Sequence, residues 1–151
     1  MILLGNDASV RVQRKSATWY SLGTWEEIGD RFGQSAHRRR LLDGLKAAVE
    51  ALRRAGCRTV SVDGSFVSAT LVPGDFDACW EPAGVNPLLV DPVLLTFERG
   101  RRAQKAKYGG ELFIAQWPAD AAGTAFLDYV QIDPTTERPK GIIILELGGA
   151  P

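Results

Sequence analysis

Two aspartates one residue apart, Asp75 and Asp77, are the side chains of this sequence best placed for chemistry. In an extended segment residues i and i+2 project to one face, about 7 Å apart along the backbone. Like charges so placed repel, and an apolar core cannot hold them. A divalent cation resolves the conflict, because Mg²⁺ takes hard oxygen ligands and is typically held by carboxylates together with substrate phosphates. Upstream, Gly64-Ser65 closes the preceding apolar segment, with nine residues between Ser65 and Asp75. Glycine there lets a phosphate approach backbone N–H groups, and the serine hydroxyl can donate to a phosphate oxygen. The competing reading makes Pro73-Gly74-Asp75 an ordinary turn and puts Asp77 on the wet face of an edge strand.

These residues need strands to aim them and a helix to bury the strands. Leu41, Leu42, Leu45, Ala48, Val49 and Leu52 recur on one helical face, so the spacing predicts a long helix opened by Ser35 and stopped at Gly56. A shorter helix is predicted before it, capped by Thr24 and ending near Gly33. Val60 and Val62 alternate with Thr59 and Ser61, which predicts a strand over 58–63, and a second strand is predicted over 75–80. Val93 to Lys107 reads as a third helix stopped by Gly109-Gly110. Further strands are expected over 111–116, 125–132 and 141–147, with a turn-rich connection at 133–139. Residues 1–23 show no period and are expected to form a poorly ordered arm or a loose edge segment, leaving 24–151 as the domain. The fold class is α/β (α+β), a single mixed sheet with helices packed on it.

A Gly-Ser pair ending a strand, followed by Asp-hydrophobic-Asp on the next strand, resembles the signature of the polymerase-β-type nucleotidyltransferases. The stretches DGSFVSATLVPGDFDACW, KYGGELF and PKGIIILEL resemble a group of small, largely uncharacterised bacterial nucleotidyltransferase-like proteins, over roughly residues 24–147. The resemblance implies a third carboxylate on a later strand. Glu111 is the first choice and Asp128 the second; the superfamily more often has aspartate there. It implies two Mg²⁺ ions on Asp75, Asp77 and the third acid, with Gly64 and Ser65 holding the triphosphate. The reaction would move a nucleoside monophosphate from a nucleoside triphosphate to an acceptor hydroxyl on RNA or protein. By the same analogy the chain would be the toxin or regulator of a bacterial two-gene module, with a small helical or DNA-binding antitoxin-like partner. A degenerate module that keeps the fold without the activity is the alternative, and a metal-dependent nuclease is a more distant one.

Other features carry weaker signals. Lys105 and Lys107, on the basic third helix with Arg101 and Arg102, can neutralise a triphosphate if they reach the acids; a solvated helix face is the ordinary reading. The run His37-Arg38-Arg39-Arg40 sits at a helix start, where basic charge opposes the dipole. Asp63 adds either a ligand or a strand cap, and Trp25, Trp80 and Trp117 are expected in packing rather than in base stacking.

Composition bounds these readings. The chain has 151 residues, one domain's worth, with 45% hydrophobic and 24% charged residues, which excludes wholesale disorder. Its 18 basic and 18 acidic side chains balance, so it is no general nucleic-acid coat protein. The balance is uneven along the chain: residues 1–56 hold 10 basic and 6 acidic side chains and residues 57–151 hold 8 and 12, so net +4 gives way to net −4. One histidine, His37, and two separated cysteines, Cys57 and Cys79, leave a zinc site or a Ser-His-Asp triad without ligands. Both thiols are expected buried and reduced. No aliphatic run approaches a membrane span, and a cytoplasmic protein with no membrane partner is expected.

Overall fold

Ser35 starts the main helix as its position demands: its side-chain oxygen accepts the backbone N–H of Arg38 at 3.1 Å. The computed structural model of the chain describes residues 9–13, 19–21, 25–63, 74–129 and 142–147. In chain order the elements are β1 (Ser9–Gln13), β2 (Trp19–Ser21), α1 (Trp25–Phe32), α2 (Ala36–Arg54), β3 (Thr59–Asp63), β4 (Phe76–Trp80), α3 (Glu98–Tyr108), β5 (Gly110–Ile114), α4 (Phe126–Tyr129) and β6 (Ile142–Glu146). Two short 3₁₀ turns, Pro87–Leu89 and Pro92–Leu95, lie between β4 and α3. The fold is therefore the mixed α+β arrangement expected.

The strands form one sheet in the order β2-β1-β6-β3-β4-β5. All pairs are antiparallel except β4 with β5, which the α3 crossover makes parallel. One face carries Val60, Val62, Phe76, Ala78, Trp80, Leu112, Ile114 and Leu145, all buried against the apolar stripe of α2. Leu45, Ala48, Val49 and Leu52 of that stripe are at most 1% exposed. Each fully buried leucine or valine contributes roughly 1.5–3 kcal/mol, so this interface is the main source of stability. The other face holds a smaller cluster of Cys79, Phe113 and Ala115, with Phe126 and Leu127 packed against it.

Several expectations are corrected. Residues 9–13 and 19–21 fall in the segment expected as a poorly ordered arm or a loose edge segment. They are strands, with β1 inside the sheet between β2 and β6, and β2 at the edge. The strand expected over 125–132 does not begin as one. Pro118 bridges Ala125, the N–H groups of Phe126 and Leu127 bond to Trp117 and Ala115 carbonyls, and the chain then turns into α4. Phe126 and Leu127 both reach the small cluster, which a two-residue alternation cannot achieve. The single helix expected over 93–107 divides into the 3₁₀ turn ending at Leu95 and α3. Thr24 and the connection at 133–139 lie outside the described residues.

The basic run at the start of α2 serves the helix before it. Arg38, buried, donates through Nη1 to the Phe32 carbonyl at 3.2 Å, and Arg39 donates through Nε to the Gly33 carbonyl at 3.1 Å. These are the orphan carbonyls at the end of α1, which explains positive charge at an otherwise unfavourable position. Both cysteines are buried, and neither forms a disulfide. Burial pushes the Cys57 thiol up to about 11, and its single S–H has the Thr59 and Glu81 carbonyls within reach as acceptors. Trp80 is buried, Trp25 packs at the margin of the core, and Trp117 is half-exposed with its ring 5.4 Å from that of Phe97. Among the described residues no helix is long and apolar enough to cross a membrane.

Candidate functional site

The acids gather where β3, β4 and β5 run side by side. Asp77 on β4 is paired in register with Glu111 on β5, and on its other side with position 63 on β3. Adjacent strands lie about 4.8 Å apart, so three acidic positions form one row across the sheet. Phe76 and Ala78 point into the main core, so Asp77 faces the opposite side, along with Glu111. Asp75 stands just before β4. Sequence spacing alone paired Asp75 with Asp77; the parallel register adds Glu111.

α3 runs back along β5 and supplies the counter-charges. Glu111 is only 14% exposed, and both of its carboxylate oxygens are engaged. Oε2 accepts from Arg101 Nε at 3.0 Å, and Oε1 pairs with Lys105 Nζ at 2.7 Å. The same ammonium stands 4.0 Å from Asp75 Oδ2, which ties the two acids to one cation. Burial, followed by the negative charge of Glu111, lifts the Asp75 carboxyl above its ordinary range, against the pull of Lys105. The hydrogen bond and charge of Glu111 raise Lys105 in turn.

Arg101 has a second contact. Its guanidinium lies 4.6 Å from the centre of the Phe113 ring, whose other neighbour Phe126 stacks at 4.2 Å. Phe113 is two residues beyond Glu111 on the same face of β5, so one arginine reaches both. Arg99, Gly100 and Arg101 have φ of 51°, 63° and 59°, a left-handed turn at the start of α3 before the right-handed helix resumes. That conformation is unfavourable for L residues other than glycine.

Gln104 fixes this helix against the strand, and the sequence reading passed over it. Fully buried, it accepts the Leu112 N–H at 2.7 Å and donates to the Thr96 carbonyl at 3.2 Å. A signal was present: Gln104 and Tyr108 are four residues apart, which puts both on the buried face of α3.

The remaining candidates fall elsewhere. Lys107 does not join Lys105. Its Nζ lies 2.5 Å from Asp91 Oδ2, which also accepts the Tyr108 hydroxyl. Asp128 is exposed on α4, the helix that covers Cys79, Phe113 and Ala115. Gly64 and Ser65 lie outside the described residues, immediately after the end of β3. Among the described residues no three His, Cys, Asp or Glu side chains stand close enough together to hold a metal ion. Three carboxylates are the correct donor chemistry for Mg²⁺. For Glu111 to contribute, Arg101 and Lys105 must first release it.

Sequence comparison then gives membership. Residues 18–146 match the family described as Family of unknown function (DUF6932), and the chain belongs to it. No curated protein matches the chain, and no solved structure does. The matched span begins inside the strand pair β1–β2 and ends with β6, so it includes the row of acids and α3.

Proposed function

We propose that the protein is a metal-dependent nucleotidyltransferase that moves a nucleoside monophosphate from a nucleoside triphosphate to an acceptor hydroxyl. The observation that carries this reading is the register of Asp77 with Glu111, with Asp75 joined to Glu111 through Lys105. Asp75, Asp77 and Glu111 would hold Mg²⁺ only after closing on one another and after Arg101 and Lys105 release Glu111, because as they stand they are not close enough together. When bound, the metal supplies charge neutralisation and lowers the pKa of the acceptor hydroxyl. Lys105 and Arg101 lie on the same side of the sheet as the acids and meet the phosphates. In the reaction the acceptor oxygen bonds to the α-phosphorus, the bond from that phosphorus to the bridging oxygen breaks, and pyrophosphate leaves with that electron pair. The acceptor proton passes to a carboxylate of the row. Rate enhancement on such a site comes mostly from alignment and charge neutralisation.

The acceptor class is RNA or protein. The resemblance to minimal nucleotidyltransferases adds a two-gene module with a small helical or DNA-binding antitoxin-like partner. The test is transfer of label from α-³²P triphosphates with the wild type, Asp75→Asn and Asp77→Asn. Both variants are expected to lose transfer by about a hundredfold or more while melting as the wild type does. Unchanged turnover in both overturns the mechanism.

A second reading is favoured by one specific contact. Glu111 is fully engaged by Arg101 and Lys105, as it would be in a degenerate module in which the third acid has become structural. Calorimetry with Mg²⁺ and each triphosphate separates the two, since the degenerate module shows no metal-dependent binding.

A further inference from the structure

We infer that Trp117 and Phe97, with the arginines Arg99 and Arg102, form a docking platform for single-stranded RNA. The choice of RNA rests on the proposed nucleotidyltransferase reading, whose acceptor class it narrows; the platform itself stands on the surface described next. Trp117 is expected in packing, yet 51% of it faces solvent. Phe97 supports it from one side, with ring centres 5.4 Å apart and planes tilted by 47°. Leu95, two residues before Phe97, is 41% exposed as well. A single exposed apolar side chain needs no explanation, but Trp117 is held out by a fixed backbone. Its N–H bonds to the Ile114 carbonyl at 3.0 Å and its carbonyl accepts the Phe126 N–H at 2.9 Å. The next residue, Pro118, bridges Ala125.

Charge beside this surface selects the occupant. α3 begins immediately after Phe97 and carries five basic side chains against one acid, Glu98. Glu111 holds Arg101 and Lys105, and Asp91 holds Lys107. Arg99 and Arg102 are exposed, and neither makes an ion pair among the described residues. Asp120, in the loop after Trp117, is turned to its own chain, its Oδ1 accepting the Thr124 N–H at 3.0 Å. Even against Glu98, the balance beside the indole is positive. Single-stranded RNA complements both features, because every base has a π-face that stacks on an aromatic ring and every linkage carries a phosphate. An acidic peptide would satisfy the arginines by charge alone, and an RNA duplex keeps its bases stacked inside. The neutral chain as a whole fits one local platform rather than a general coat.

The platform lies within reach of the acids. Ile114 follows Glu111 by three residues on β5, a rise of about 10 Å, and Trp117 is bonded to Ile114. Arg101 covers part of that span, from Glu111 to the Phe113 ring. A strand stacked on Trp117 can therefore present an end to the row of acids.

The test uses the full chain without metal or triphosphate, and an oligouridylate of about ten nucleotides, within the site sizes of such platforms. Fluorescence anisotropy of the labelled oligonucleotide gives the affinity, and tryptophan emission reports stacking. Wild type is expected to bind with its indole emission quenched. Trp117→Ala is expected to bind about tenfold more weakly and to lose the quenching, whereas Trp117→Phe keeps most of the affinity. The double variant Arg99→Gln, Arg102→Gln is expected to flatten the plot of log affinity against log salt by about 1.4, the worth of two phosphates on a single strand. Thermal melting confirms that each variant is folded. No wild-type binding at low salt overturns the platform, and so does equal affinity of wild type and Trp117→Ala. Oligoglutamate bound as tightly as the oligouridylate, with the same loss in Trp117→Ala, also overturns it and reassigns the patch to an acidic protein segment. All three results leave label transfer to a protein acceptor standing. Intact binding without transfer of label to the oligonucleotide or to protein, with Mg²⁺ and each triphosphate present, supports the platform and overturns the nucleotidyltransferase reading.

Discussion

The side-chain oxygen of Gln104 accepts the Leu112 N–H at 2.7 Å, one residue along β5 from Glu111. β5 is the edge of the sheet on this side, and α3 covers that edge by supplying a side-chain acceptor to its backbone. The spacing of Arg101 and Lys105 from Glu111 depends on this bond, because Gln104 lies between them on the helix. Gln104→Leu keeps the volume but leaves a buried N–H and the Thr96 carbonyl without their partner. The expected loss is about 2–4 kcal/mol, since each unsatisfied buried group costs about 1–3 kcal/mol. Urea unfolding measures it as a lower midpoint with an unchanged slope. A midpoint equal to wild type removes Gln104 from this role.

The approach of α2 to α3 is closer still. A methyl group at Gly44 would stand 1.8 Å from the backbone oxygen of Tyr108. Helix propensity alone favours Gly44→Ala by about 1 kcal/mol. Steric overlap with backbone reverses the sign, because no flexible side-chain end is available to move aside. A net loss of about 2 kcal/mol is expected. Thermal unfolding decides the matter, and a raised melting temperature would mean that the helices are not packed this tightly.

How much of this was legible depends on which forces act locally. The α2 stripe and the Val60–Val62 alternation are periodic, and both elements form where the period puts them. Asp77 and Glu111 were legible as acids on successive strands around one crossover helix, because a single crossover places those strands in parallel. Arg101 was legible only as one charge among several. Its reach to Glu111 depends on a left-handed turn that no propensity favours. β1 was missed for a different reason: its Val10–Val12 alternation spans only five residues, and one of its two partners, β6, lies more than a hundred residues away. In Phe126-Leu127 two adjacent apolar residues serve one cluster, so a strand was expected where the chain makes a single helical turn.

Asp91 predicts an acid-sensitive contribution to stability. Burial acts to raise its carboxyl, but hydrogen bonds from Lys107, Tyr108 and the Val93 N–H outweigh burial and hold it below the ordinary range. A carboxyl depressed in the folded state stabilises fully above its unfolded pKa of about 3.9, and the contribution fades as pH falls through the lower folded value. Asp91→Asn keeps the acceptor for Val93 and loses the charge. It is expected to cost about 1.5–3 kcal/mol at pH 7, the worth of a hydrogen bond to a charged group. The gap between the two proteins should narrow below about pH 4. Denaturant titrations of both proteins across pH 2–7, a range bracketing that value by about two units or more on either side, follow it. A gap independent of pH would assign the loss to packing instead.

The left-handed turn gives the sharpest contrast, because two of its residues share a backbone conformation but differ in what their side chains do. Arg99 has φ 51° and an exposed side chain, whereas Arg101 has φ 59° and is bonded to Glu111 and laid over Phe113. Replacing either with glycine relieves about 1–2 kcal/mol of steric strain, partly offset by about 0.5–1 kcal/mol of extra chain entropy in the unfolded state. Arg99→Gly is therefore expected to stabilise the protein by about 0.5–1 kcal/mol. Arg101→Gly receives the same backbone relief but leaves a largely buried Glu111 with Lys105 as its remaining partner, and is expected to melt below Arg99→Gly. The two melting temperatures, measured side by side, separate strain from contact. If Arg99→Gly melts below wild type, the turn is not strained. If the two variants melt together, Arg101 contributes nothing to holding the third acid.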